Sequence, residues 1–180
     1  MIDNRQLYRS LEGYEKMMAH YERQLSNDPA PYDTYLVPTR FGTTHILAGG
    51  PKDAPPILLF HGWNGNAAGT GSEFSFLFSN YRVYVPDIIG HAGKSAPQRL
   101  STDTPDYAHW ACDVLDALDI ERAYVIGISG GGWMTLKFCA YYSHRIKNLS
   151  LDKIGQFPCG KLPKGRNFMC EQKKDYPRAH

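Results

Sequence analysis

Apolar positions follow two different periods along the first 150 residues. Between residue 3 and about residue 26, Leu7, Leu11, Tyr14, Met17, Met18 and Tyr21 recur at spacings of three and four, which predicts an amphipathic helix ended by SNDPAP. Tyr32–Val37 and Thr43–Ala48 then read as strands joined by a turn over Arg40–Gly42, and Gly49–Pro56 is a Gly/Pro loop. Ile57–Phe60, Arg82–Val85 and Tyr124–Ile128 are short continuous apolar runs, the pattern of strands buried on both faces of a parallel sheet. Helices are predicted over Tyr107–Leu118, with Pro105 and Asp106 suiting its start, and over Gly132–Tyr142. Ile146–Leu151 is a candidate further strand. Strands alternating with helices predict an α/β fold, a mainly parallel sheet flanked by helices on both faces.

The pattern stops near residue 150, and the charge changes with it. Residues 1–150 carry 13 basic and 15 acidic side chains; the last thirty carry 7 and 3 and show neither period. Three segments are therefore expected: an N-terminal helix over 1–30, an α/β core over 31–151 and an atypical tail over 152–180. With 42% hydrophobic and 21% charged residues the chain has an ordinary globular composition. A net charge of +2 gives no pull toward nucleic acid. No apolar run approaches the ~20 residues of a membrane helix. MIDNRQLYRS lacks the apolar stretch of a signal peptide, so a cytoplasmic location is expected. Cys112, Cys139, Cys159 and Cys170 form no CxxC pair and no zinc-spaced cluster, so no metal site and no disulfide framework are expected.

Three segments carry candidate chemistry. Gly127-Ile128-Ser129-Gly130-Gly131 is a G-x-S-x-G between a predicted buried strand and a predicted helix. That context makes Ser129 a candidate nucleophile on a sharp elbow, with the backbone N–H of Gly130 facing a developing oxyanion. A plain glycine-rich turn is the competing reading of the pentapeptide. His61-Gly62-Trp63 follows the strand Ile57–Phe60, where a second oxyanion N–H is needed, and Trp63 is placed to supply it; the His61 ring is expected to bond nearby backbone. Asp87–Ser95, DIIGHAGKS, follows a third strand. Its Gly93-Lys94-Ser95 imitates the end of a phosphate-binding loop, but position 88 is Ile where that loop needs glycine, and Pro97 follows at once.

In combination, HGW, DIIGHAGKS and GISGG resemble, in order and separation, the oxyanion loop, the D-x-x-G-x-G-x-S loop and the elbow of the α/β-hydrolase fold family. TRFGTTHILAGGPKDAPPILLFHG and VPDIIG are most similar to bacillus-type carboxylesterases. The resemblance spans roughly residues 32–150. It implies a serine hydrolase of small-molecule carboxylic esters, without a cofactor. In that family the acid and the histidine base follow the serine along the chain. Here only Asp152 and His180 offer themselves: the first just past a possible strand end, the second at the terminus. His20, His45, His91, His109 and His144 lie before or outside the expected position, so acid and base are unassigned. These departures lead to the expectation of a truncated or altered hydrolase lacking its C-terminal strands, with an exposed sheet edge open to self-association. Acyl transfer on the same fold and a non-catalytic remnant are the alternative functions.

Overall fold

The computed structural model describes residues 3–28 and 30–152; the tail over 153–180, with His180, Cys159 and Cys170, lies outside the described residues. Six strands form one sheet: β1 (Asp33–Thr39), β2 (Gly42–Gly49), β3 (Pro56–Phe60), β4 (Arg82–Pro86), β5 (Ala123–Ile128) and β6 (Ile146–Asp152). Their spatial order is β1-β2-β4-β3-β5-β6. β1 and β2 form an antiparallel hairpin closed by the register pair Thr39↔Gly42, and β2 runs antiparallel to β4. β4, β3, β5 and β6 are parallel. The sheet is thus mainly parallel, and its three continuous apolar runs are its central strands. Ile57, Leu58, Leu59, Phe60, Val83, Val85 and Val125 are essentially inaccessible to solvent.

Helices cover both faces. On one face α3 (Asp106–Ala117) and α4 (Gly130–Tyr142) bury Trp110, Val114, Met134 and Phe138 against Leu58, Phe60 and Val125. On the other, α1 (Leu11–Asn27) and α2 (Ala67–Glu73) bring Tyr21, Ala67 and Ala68 onto Leu47, Leu59 and Val85. Each buried side chain of Leu, Phe or Met size contributes about 1.5–3 kcal/mol.

The predicted first helix is shorter than its pattern. A single 3-10 turn over Arg5–Leu7 precedes α1, and the Ser10 hydroxyl oxygen accepts from the Gly13 N–H to start the helix at Leu11. Serine is a strong N-cap because it satisfies an otherwise unpaired helix N–H. Leu11, counted in the apolar face, is exposed. α2 and a 3-10 segment over Ser75–Ser79 were not foreseen between Phe60 and Arg82. AAGTGSE has no apolar period and two glycines; its start is set by Asn66, whose side chain accepts from the Gly69 N–H. α4 begins two residues earlier than its pattern, directly after Ser129.

β6 pairs with β5 in register through Ile128↔Asp152. Beside it a cleft of about 240 Å³ opens between Leu77, Tyr81, Tyr124, Ile126 and Leu149. Among the described residues no helix is long and apolar enough to cross a membrane, and no His/Cys/Asp/Glu group has the arrangement of a metal site.

Candidate active site

β5 delivers the chain to Ser129 at the C-terminal edge of the sheet, and α4 leaves from the next residue. The turn is forced into an unusual backbone state: Ser129 has φ 50° and ψ −112°. A non-glycine residue held there costs on the order of 1–3 kcal/mol, and such strain concentrates at functional positions. Close packing imposes the turn. A Cβ on Gly127 would overlap the Gly131 carbonyl and the Thr135 hydroxyl, and one on Gly131 would lie 2.7 Å from the His61 carbonyl oxygen and closer still to that of Phe60. The two glycines let α4 sit directly on the ends of β3 and β5. The Ser129 side chain makes no capping bond to its own helix. The first backbone N–H groups of α4, that of Gly130 included, lack partners within the helix.

The loop after β3 meets this turn. A Cβ on Gly62 would stand 3.5 Å from the Cβ of Ser129, and the Trp63 indole lies across Gly130 so closely that a Cβ there would be 2.6 Å from the ring. The intervening peptide is oriented from its carbonyl side. The Gly62 carbonyl accepts from His61 Nδ1 at 2.7 Å and from the Gly65 N–H at 2.9 Å. A planar trans peptide points its N–H opposite to its C=O, so this anchoring turns the Trp63 N–H away from His61. The tautomer follows from the partners. His61 Nε2 accepts from the Ile88 N–H at 2.9 Å, so the proton resides on Nδ1. Burial pushes the His61 pKa below its ordinary value and keeps the ring neutral. His61 bonds backbone at both nitrogens, as its place after the strand suggested.

The loop after β4 holds His61 through the Ile88 N–H and begins at Asp87, whose carboxylate is fully buried. It accepts from the Ala67 N–H (2.8 Å), the Lys94 N–H (2.9 Å), the Tyr21 hydroxyl (3.0 Å) and His45 Nδ1 (3.0 Å). Burial alone would raise its pKa; the hydrogen bonds from His45 and the Ala67 N–H outweigh it and leave the group below the ordinary value. Burial, and then the same carboxylate, push the Tyr21 phenol up. The segment imitating a phosphate-binding loop is consumed by this hub. Gly93 packs on Asp87, Lys94 pairs with Glu22 at 2.6 Å, and the Ser95 hydroxyl donates to the Asp87 carbonyl at 2.6 Å.

The remaining candidates fall as follows. Asp152 ends β6 opposite Ile128, one residue before the serine. His45 lies on β2, three strands from β5, roughly 14 Å at the usual strand spacing. His109 bonds the Tyr142 hydroxyl at 2.6 Å; His144 is exposed beyond the far end of α4, and His20 is exposed on α1. His91 is not a plain loop residue: it is half-buried and stacks on Trp63 with ring centroids 4.8 Å apart. Sequence reading missed it and the Asp87 hub, because neither contact is local.

A strained serine between a central parallel strand and a helix, with an anchored His-Gly loop packed against it, has the layout of a strand-to-helix elbow. The chain belongs to the α/β-hydrolase fold family, whose model matches residues 55–177. It is 39% identical over 138 residues to an uncharacterized carboxylesterase, nap, of Bacillus subtilis, covering 73% of this chain and 44% of that protein. It is 35% identical over 147 residues to carboxylesterase YbfK of the same organism, covering 82% and 50%. Among solved structures, the naproxen esterase (carboxylesterase NP) of Bacillus subtilis superposes with a TM-score of 0.70 at 38% identity over 79% of this chain and 50% of that one. Carboxylesterase CesB (YbfK) gives 0.71 at 36% over 77% and 49%. The chain spans about half the length of these relatives.

Proposed function

We propose that the protein is a carboxylic ester hydrolase in which Ser129 attacks the ester carbonyl and the N–H groups of Trp63 and Gly130 stabilise the oxyanion. The strained backbone of Ser129 carries this reading: the residue sits between β5 and α4 with its Cβ beside the loop that bears Trp63. Positioned donors of this kind supply a large share of the rate in acyl-transfer enzymes, about 10²–10³-fold for one donor. The carboxylesterase relatives support a small-molecule ester as substrate. The triad acid and base are left unassigned, and the cytoplasmic location is retained as part of the proposal.

Incubation with a fluorophosphonate and measurement of intact mass tests the nucleophile. One adduct is expected on the wild type and none on Ser129→Ala. A folded wild type that gains no mass would favour the alternative of a non-catalytic member of the family. Self-association through β6, the outermost strand among the described residues, and the adjoining cleft is proposed as well. Sedimentation at tens of micromolar is expected to show a dimer or larger species, and a monomer there would remove it.

A further inference from the structure

We propose that His91 is a positioning residue for the oxyanion site, holding the peptide after Trp63 while the neighbouring His61 holds the peptide before it. The inference rests on the assignment of Trp63 given above.

Trp63 is clamped at both of its peptide groups. His61 holds the peptide before it, through the Gly62 carbonyl, and His91 holds the peptide after it. His91 Nδ1 stands 3.3 Å from the Trp63 carbonyl oxygen. A carbonyl oxygen only accepts, so Nδ1 carries the proton and donates. Nε2 is then an acceptor, and the Tyr107 hydroxyl lies 3.5 Å from it. The imidazole also stacks on the indole, with 17° between the ring planes. On its far side the indole is closed by Trp133, at 5.5 Å, and rests on Gly130. Neither ψ nor χ1 of Trp63 can change without breaking one of these contacts. Tyr107 is almost fully buried in the first turn of α3, so the chain of contacts from Tyr107 through His91 to Trp63 has a fixed base. The loop bearing His91 is fixed in turn, since the backbone N–H groups of Gly93 and Lys94 are held by the Tyr8 hydroxyl and the Asp87 carboxylate.

The rings of His61, Trp63 and Tyr107 face His91, and Arg99 is the charged side chain acting on it. Burial first, then His61 and Arg99, push its pKa down to about 4, against the Trp63 carbonyl, which raises it. The ring is therefore neutral at working pH and keeps the tautomer that the clamp needs.

Two variants separate the two contacts. His91→Asn can place an amide N–H near the position of Nδ1 and retain the bond to Trp63; His91→Phe retains the stack and loses the bond. The rate of fluorophosphonate labelling, its half-saturating probe concentration and the NMR resonance of the Trp63 amide are measured on folded protein. His91→Phe is expected to label about 10–100-fold more slowly at unchanged half-saturation, a smaller loss than removal of a donor itself. His91→Asn is expected to recover to within about threefold of wild type. The wild-type Trp63 amide is expected to shift with a midpoint near pH 4, and that of His91→Phe is not. Labelling of His91→Phe at the wild-type rate, failure of His91→Asn to recover, or a wild-type Trp63 amide insensitive to that titration would overturn the proposal. If the wild type takes no probe, the esterase reading fails and the amide titration alone decides whether His91 positions Trp63.

Discussion

Gly131→Ala is expected to destabilise the fold by about 3 kcal/mol, the upper end of ordinary overpacking. For a chain of this size that lowers Tm by roughly 6–12 °C. The reason is the identity of the obstructing atoms. The added methyl would meet the carbonyl carbon of Phe60 at 2.7 Å, the carbonyl oxygen of His61 at the same distance, and the Phe60 oxygen closer still. These are backbone atoms of β3 and of the turn that leads to Trp63, so no rotamer change relieves them. Either α4 lifts from the sheet or β3 shifts, and in both cases Ser129 moves relative to the Trp63 N–H. Fluorophosphonate labelling is expected to fall with the melting temperature. Gly62→Ala is the control: its methyl would meet nothing closer than the Ser129 Cβ at 3.5 Å, an ordinary van der Waals distance. It is expected to leave Tm within about 2 °C of wild type, since surface-compatible changes stay within ~0.5 kcal/mol. Equal losses in the two variants, read by calorimetry, would show that glycine removal as such matters and that the contact geometry does not.

The same contrast explains which parts of the molecule were legible in the sequence. The central strands were, because burial on both faces leaves a continuous apolar run such as Ile57–Phe60. The sharp strand-to-helix turn at Ser129 was, because such a turn demands small residues at fixed offsets, and GISGG meets that demand within five positions. His61 was, because its partners, Gly62 and Ile88, lie on the two loops whose places the strands had already set. α2 was not, because AAGTGSE packs through its small size and presents no stripe of large apolar residues. Asp87 was read as part of a loop motif, while its partners Tyr21, His45 and Ala67 come from α1, β2 and α2, elements between 20 and 66 residues away in the chain. His91 was set aside with the other histidines for the same reason: its stack on Trp63 joins two loops that only the sheet order brings together.

Asp87→Asn is expected to cost about 3–5 kcal/mol near neutral pH, the usual result of breaking a buried ionic group away from its partners. The side chains are nearly isosteric, so packing does not account for the loss. Every partner of the carboxylate is a donor: Oδ1 accepts from the Ala67 N–H, and Oδ2 from the Lys94 N–H, Tyr21 and His45. Whichever way the amide is turned, its NH₂ faces at least one donor and leaves that group unsatisfied, which is the expensive case for a buried polar group. The pH dependence separates this cause from a general loosening. The native pKa of Asp87 is held below its ordinary value of 3.8, so its contribution is fully present above that value and is lost as pH falls through the native pKa. The stability difference between wild type and Asp87→Asn should therefore be constant from pH 7 to about 5 and shrink as pH drops below about 4. Asp3 and Asp33 also sit below their ordinary values through Arg5 and Arg82, but they are solvent-exposed or nearly so and present in both proteins, so they cancel in the difference. Urea titrations at a series of pH values read this directly, and a difference that persists unchanged at pH 3 would mean that the carboxylate charge is not what holds the hub. Because the Lys94 N–H and His45 are tethered by this one group, the variant is also expected to slacken the loop that carries His91. Ser129 labelling should then fall by more than the small unfolded fraction explains, an outcome that would tie the buried hub at Asp87 to the proposed oxyanion site across two strands of the sheet.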